Sequence, residues 1–312
     1  MSLTDLRRGE GWRELSNRVA GDLPAVVRYL RVEEDGKPAQ LLGSGSIIGN
    51  VGGRWLVTAT AAQVIDGLRP SVGGAAGAER RYGTETLKAL RCAVTVPERG
   101  GELVCRVAAA VAGPRDTALV FVPLPQPTPT LVLPIDLGPP PAPEEALLVA
   151  GFSAGADPST GNGGAAAPIP ARRLLVREGF FADFGATSRL HPYPLFRHLV
   201  PLEPGMIGGP VIVHREQQPG QSLRTLVAIN NLDVPMITGA AAQHPEKEGE
   251  GLATHVLSLY AHSVASPDGS WMPFIEAVRR GVVVSYGPEA LRVARESGPN
   301  GAPRYYIAAA GS

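Results

Sequence analysis

In this chain of 312 residues the side chains able to attack, accept a proton, bind a metal or pass electrons are sparse and scattered. All six histidines (His191, His198, His214, His244, His255 and His262) lie beyond residue 190, and no serine occurs between Ser188 and Ser222. Acyl transfer by a hydroxyl or thiol needs a base within hydrogen-bond reach and a third group that holds the base. A trio would therefore have to draw its histidine from beyond residue 190 and its serine from outside residues 189–221. No His/Asp/Glu cluster has metal-ligand spacing, and His255, inside a strand-like run, reads as a core or rim histidine. The two cysteines, Cys92 and Cys105, are too few for a disulfide framework or a four-ligand zinc site, and no Cys-x-x-Cys pair exists. Gly161 to Gly164 lacks the strand and helix that flank a phosphate-binding loop. No metal or cofactor is implied.

The elements that would position any site are short strands. AVVRYLRV (25–32), GSGSIIG (43–49), RWLVTAT (54–60), LRCAVTV (90–96) and LVCRVAAAV (103–111) are rich in Val, Leu and Ile and are separated by turn residues. A hairpin turning at Glu98-Arg99 sets Cys92 opposite Cys105, where reduced, buried thiols are the preferred reading over a bridge. The run VPLPQPTPTLVLPIDLGPPPAP is extended and crosses between two sub-structures, and the uncharged stretch Thr117 to Ile135 holds too many prolines for a membrane helix. A second series follows in EALLVAGF (145–152), ARRLLVREGFF (171–181), GGPVIVH (208–214), LRTLVAIN (223–230) and GLATHVLSL (251–259), with residues 153–168 as a flexible loop. Helix-like segments appear only toward the ends, in residues 1–24 and 271–296, including SWMPFIEAVRR with Ser270 as its N-cap and PEALRVARE after Pro288.

Composition narrows the partners. Twenty-nine basic and 29 acidic residues leave no net charge, so no global field draws the chain to nucleic acid or to an anionic membrane. With only three lysines among the basic residues, the arginine content reads as codon usage and carries no functional weight. The 38 glycines and 30 prolines fit many turns and short strands. The charged start, MSLTDLRRGEGWRELSNRV, has no apolar secretory stretch, and a cytoplasmic location is expected.

Three segments, in order, carry a resemblance. GSGSIIGNVGGRWLVTATAAQVIDG (43–67), RDTALVFV (115–122) and EPGMIGGPVIV (203–213), the last followed by LVAINN and GLATHV, are similar to the trypsin-like, chymotrypsin-fold serine peptidases, in particular the bacterial HtrA-like branch. The resemblance implies an all-β fold of two antiparallel six-stranded barrels with short helical terminal extensions. It divides the chain into an N-terminal extension (1–24), a first barrel (25–122), a Pro-rich linker (123–144), a second barrel (145–265) and a C-terminal extension (266–312). It also implies where the chemistry would be. Gln63 stands at the base position, Asp116 at the carboxylate that orients the base, and Ile207 at the nucleophile, with Gly205 and Met206 on a vestigial oxyanion loop. A carboxamide has no useful pKa near neutrality and a sec-butyl group cannot attack, so the resemblance points to a catalytically inactive pseudopeptidase.

Each position has a plainer job. Asp116 serves as an acceptor holding the 60–64 turn, with Gln63 as its partner. Met206 and Ile207 either fill the vacated cleft or present a small apolar contact. The expected role is binding another protein or an extended peptide, in a bacterial multi-protein system, along a groove bordered by Asn230, Asn231, Leu232 and Asp233. The alternatives are a structural subunit that binds through its terminal extensions, and a hydrolase with an unrecognised site.

Overall fold

The computed structural model describes residues 12–15, 23, 25–32, 40–67, 80–96, 101–113, 115–138, 140–153, 173–186, 195–219, 221–233, 250–265 and 271–286, and the backbone of 291–297 and 303–309. The first sheet has eight strands, β1 (Val26–Arg31), β2 (Gln40–Val51), β3 (Trp55–Ala61), β4 (Leu90–Val96), β5 (Gly101–Arg106), β6 (Ala109–Ala112), β7 (Thr117–Pro123) and the two-residue Arg80–Arg81, which pairs antiparallel with β6. They pair antiparallel in the order β1-β2-β3-β7-β6, while β5 pairs β4 and β4 pairs β1. Since β5 and β6 are one bent strand interrupted at Val107–Ala108, the sheet closes into a six-stranded barrel. Ala108 N still donates to Phe121 O (2.9 Å) across the interruption. The stretch from Thr117 is thus not all connector: its first seven residues form a buried strand between β3 and β6, and the proline run begins only where that strand ends.

The connector itself is built into the structure. Its short strand β8 (Ile135–Asp136) pairs in parallel with residue Leu226, and Leu133 N donates to Ile47 O (2.8 Å) in the first barrel. Asp136 is fully buried, with Arg215 Nε (2.6 Å) and Thr225 Oγ1 (3.2 Å) donating to it, as a buried carboxylate requires.

The second barrel consists of β9 (Ala146–Phe152), β10 (Leu174–Ala186), β11 (Leu195–His198), β12 (Pro210–Gln218), β13 (Gln221–Asp233) and β14 (Gly251–His255). Its order is β9-β10-β11-β14-β13-β12, and β12 pairs back to β9, so it closes too. In both barrels the chain visits the strands in the sequence first, second, third, sixth, fifth, fourth. Two closed six-stranded antiparallel barrels with this shared order make the fold a double barrel of the chymotrypsin type. Closure leaves neither sheet a free edge over most of its length. Two apolar cores follow: one fills the first barrel and the contact zone, and a smaller one, with Val149, Phe181, Phe196, Val211 and Val227, fills the second barrel.

The ends depart from expectation. Only Phe274–Arg279 of SWMPFIEAVRR is helical; it is preceded by the strand Trp271–Pro273, and its N-cap is Pro273 rather than Ser270. This segment is no appendage, because Phe274 and Ala277 are fully buried in the larger core and Val284 N donates to Ile48 O (2.9 Å). Leu291–Ser297, which takes in the last six residues of PEALRVARE, is a strand paired antiparallel with Pro303–Ala309, so pairing overrides the helix preference of its Ala, Leu, Arg and Glu. Near the other end, Arg13–Glu14 pairs with β10, while the remainder of the expected N-terminal helix and the 153–168 loop beyond Ser153 lie outside the described residues. Cys92 and Cys105 face each other in register, both buried and unbridged. Among the described residues no helix is long and apolar enough to cross a membrane.

Candidate functional site

Where the barrels meet, a short helix, α1 (Ala62–Asp66), follows directly from β3. Its N-cap, Ala61, offers no side chain to the orphan N–H groups of the first turn. Asp116 supplies the cap from across the sheet: Ala62 N donates to its carbonyl (3.0 Å) and Gln63 N to its Oδ1 (3.0 Å). The carboxylate reaches this place because Asp116 adopts a φ of +53°, a left-handed conformation that Asp tolerates better than most residues.

The Gln63 side chain is held at both ends of its amide nitrogen. Nε2 donates to Asp116 Oδ2 (3.2 Å) and to the carbonyl of Asn231 (2.5 Å) on β13 of the other barrel. One carboxamide therefore ties the Asp116 turn to the second barrel, and both of its N–H bonds are used. It offers no basic nitrogen to a neighbouring hydroxyl.

The loop carrying residue 207 is a single 3₁₀ turn, Pro204–Met206, followed by Ile207-Gly208-Gly209. It is fixed from several sides. Gly208 N donates to Asn230 O (2.7 Å), Asn230 N to Gly209 O (2.9 Å) and Gly209 N to Met206 O (3.0 Å). Gly208 has a φ of +81°, and a Cβ there would lie 2.1 Å from Thr60 Oγ1 and 2.4 Å from Ser44 O, so only glycine fits both the dihedral and the space. Gly43 is needed for a similar reason, since its missing Cβ would meet Ile207 O at 2.6 Å and Val64 Cγ2 at 2.7 Å.

Gln63, Asp116 and Ile207 are thus brought to one seam, the first two by direct bonds and Ile207 through the Gly43 and Val64 contact beside Gln63. Met206 and Ile207 part company: Met206 is fully buried in the second-barrel core, while Ile207, half-buried, packs against the larger core. Gly205 is buried, and its carbonyl accepts from Ser44 Oγ (2.7 Å). Asn230 and Asn231 are also fully buried; Asn231 Nδ2 donates to Thr254 Oγ1 (2.6 Å) and Asn230 Oδ1 lies 3.2 Å from His198 Nε2. Their side chains cannot line an open groove, which leaves only backbone for that task. The backbone of β13 continues through Leu232 and Asp233 against β14, whereas its pairing with β12 stops at Ile229. Among the described residues, no strand covers that side beyond Asn230.

Ser44 was not singled out in the sequence, yet it is the main latch. Its Oγ also accepts from Phe152 N (2.8 Å), its N donates to Ile207 O (2.7 Å), and its carbonyl accepts from Thr60 Oγ1 (2.6 Å). A small residue between glycines gives no sequence signal for such a role. The hydroxyl is fully buried and committed, so it is no nucleophile. Among the described residues the hydroxyl within reach of an imidazole is that of Thr117, 2.8 Å from His262 Nε2, and both side chains are buried. Burial depresses the pKa values of His198, His255 and His262 to about 4, leaving them neutral near pH 7. No group of His, Cys, Asp and Glu suited to a metal occurs among the described residues.

No protein-family model matches the chain, and no curated protein matches it. Among solved structures it is similar to the MamO protease domain from Magnetospirillum magneticum in its apo form, at 16% identity and a TM-score of 0.44, covering 75% of this chain and 93% of that one. It is also similar to the Rv3671c protease in its inactive form, at 15% identity and a TM-score of 0.41, covering 77% of this chain and 87% of that one.

Proposed function

We propose that this chain is a catalytically inactive member of the trypsin-like peptidases and works by binding another protein, taking an extended peptide against the backbone of residues 231–233. The observation that carries the reading is the Gln63 amide, bonded at once to Asp116 and to Asn231, in the seam that also holds the hydrocarbon of Ile207. An amide so placed fixes geometry and moves no proton, so hydrolysis by general-base chemistry has no agent there. The groove reading rests on the edge of β13 beyond Ile229, where β12 pairing ends and an added strand can hydrogen-bond.

The test has two arms. Purified protein is incubated with casein, with peptide libraries and with a fluorophosphonate probe; no cleavage and no labelling are expected, and stoichiometric labelling of any serine would overturn the inactivity. Extended peptides are then screened by fluorescence polarisation against the parent and Asp233→Pro, which deletes the N–H that strand alternation, shifted by the bulge at Asn231, turns away from β14. Binders are expected to lose affinity with Asp233→Pro, and equal binding by both chains would refute the groove. A second reading, a subunit docking through its C-terminal end, draws on the hairpin of residues 291–297 and 303–309, which pairs with no other described strand. Deleting residues 287–312 separates the two readings, since peptide capture by the groove should survive it.

A further inference from the structure

Away from the seam, a pocket of about 450 Å³ opens between a second short helix, α2 (Thr84–Lys88), and the β4–β5 strands. Its apolar wall is made by Leu87, Val107 and Ala108, and its polar side by Lys88, Arg91 and Arg106 with Thr84. Three cations on one side of a small pocket call for an account of their counter-charges. Lys88 is paired with Glu85 (2.6 Å). Arg91 Nη1 donates to the carbonyls of Lys88 (2.6 Å) and Leu90 (2.9 Å), which are neutral. Arg106 makes no ion pair or hydrogen bond among the described residues, and the acid nearest along its strand, Glu102, is committed to Arg28 Nε (2.7 Å).

The register makes the imbalance specific. Arg91 and Arg106 are direct cross-strand partners, at a position where like charges oppose each other's presence. Burial first and the Arg106 charge second push the Arg91 guanidinium below its ordinary pKa, consistent with a cation that lacks an anion. An anion set between the two guanidinium forks turns that repulsion into two attractions, and planar forks are suited to bidentate phosphoryl oxygens. The apolar wall adds a place for a non-polar body, and the volume lies in the range of small-molecule sites.

We propose that this pocket binds a small phosphate monoester, its phosphoryl group bridging Arg91 and Arg106 and its short apolar body lying on Leu87, Val107 and Ala108. The site is independent of the peptide groove and survives if the groove reading fails. Calorimetric titration with phenyl phosphate at low ionic strength tests it, with inorganic phosphate as the head alone. Phenyl phosphate should saturate below about 10 mM, with inorganic phosphate weaker, and Arg106→Gln or Arg91→Gln should each weaken binding by about tenfold or more. Because Arg106 is exposed, Arg106→Gln should fold, and without ligand it should melt no lower than the parent; with saturating phenyl phosphate the parent should melt higher than the variant. No saturable binding, equal binding by Arg106→Gln, or a lower unliganded melting temperature for that variant would overturn the proposal. Equal affinity for phenyl phosphate and inorganic phosphate would overturn the apolar half of it.

Discussion

Replacing Asp116 gives a graded test of what the retained carboxylate does. It caps α1 through Gln63 N, holds Gln63 Nε2, and occupies a φ of +53°. Asp116→Asn keeps an oxygen for the cap and a side chain that tolerates the left-handed region, but it turns an NH2 toward the Gln63 Nε2 donor in place of Oδ2, so that bond is lost along with the charge assistance, at about 1 kcal/mol. Asp116→Gly suits the dihedral but deletes both side-chain bonds, at about 2 kcal/mol. Asp116→Ala deletes the bonds and forces a β-carbon into the left-handed conformation, at about 3 kcal/mol. Urea unfolding of the three variants should rank them in that order. Hydrogen exchange should show the amide of Gln63 losing protection in the Gly and Ala variants and retaining most of it in Asn. If all three variants lie within about 0.5 kcal/mol of the parent, or if Asn costs as much as Ala, Asp116 is not the cap and the account of the turn is wrong.

Other outcomes follow from the same geometry. Ile207→Ser removes a half-buried apolar side chain and should cost about 1 kcal/mol in urea unfolding, with no fluorophosphonate labelling; the double variant Gln63→His, Ile207→Ser should also stay unlabelled, because Met206 fills the second-barrel core beside the loop. Gly208→Ala meets Thr60 Oγ1 and Ser44 O and should cost more than about 3 kcal/mol, whereas Gly281→Ala, with a φ of +72° but open space around it, should cost about 1; equal losses would mean that crowding at Gly208 is not what fixes the loop. His198, His255 and His262, with folded pKa values near 4 against about 6.5 unfolded, bind fewer protons folded than unfolded between these values. Their contribution is complete above pH 6.5 and is lost as pH falls toward 4, by up to about 2 kcal/mol apiece at pH 5, and His198→Gln should flatten the profile measured by thermal melts.

The barrels were legible because their strands carry dense Val, Leu and Ile runs between turns, and because the three motifs stand in an order that one topology satisfies. Gln63 as the partner of Asp116 was legible too, since a carboxylate beside a helix start needs a donor. Other features hid for physical reasons. Leu195–His198 is only four residues long and yields no alternation, although it completes the second barrel. PEALRVARE has the composition of a helix, and only pairing with a strand beginning at Pro303 decides otherwise. The Arg91 and Arg106 pair cannot be seen until the hairpin register sets two residues fifteen positions apart side by side. Strand membership also says nothing about which way an asparagine faces; Asn230 and Asn231 both turn inward, which leaves main-chain groups as what a paired strand would meet there.

The seam is held largely by main-chain groups and by Ser44. Every bond that joins Ser44 to the 205–207 loop and to Phe152 uses Ser44 or a main-chain group, and the bonds between Asn230 and Gly208-Gly209 are main-chain throughout. None depends on the side chain at position 207. Position 63 contributes one bond across the seam, Nε2 to Asn231 O, and an amide provides that donor as well as an imidazole N–H does. The side chain at 207, and that at 63 so long as it donates to Asn231 O, are therefore replaceable here at small structural cost, whereas Gly43, Ser44 and Gly208 are not, since each sits where backbone or hydroxyl contacts leave no alternative. The packing thus holds the backbone of the seam in one arrangement with little call on the side chain at 207, and with it the edge of β13 beyond Ile229, the surface that the proposed peptide would pair with.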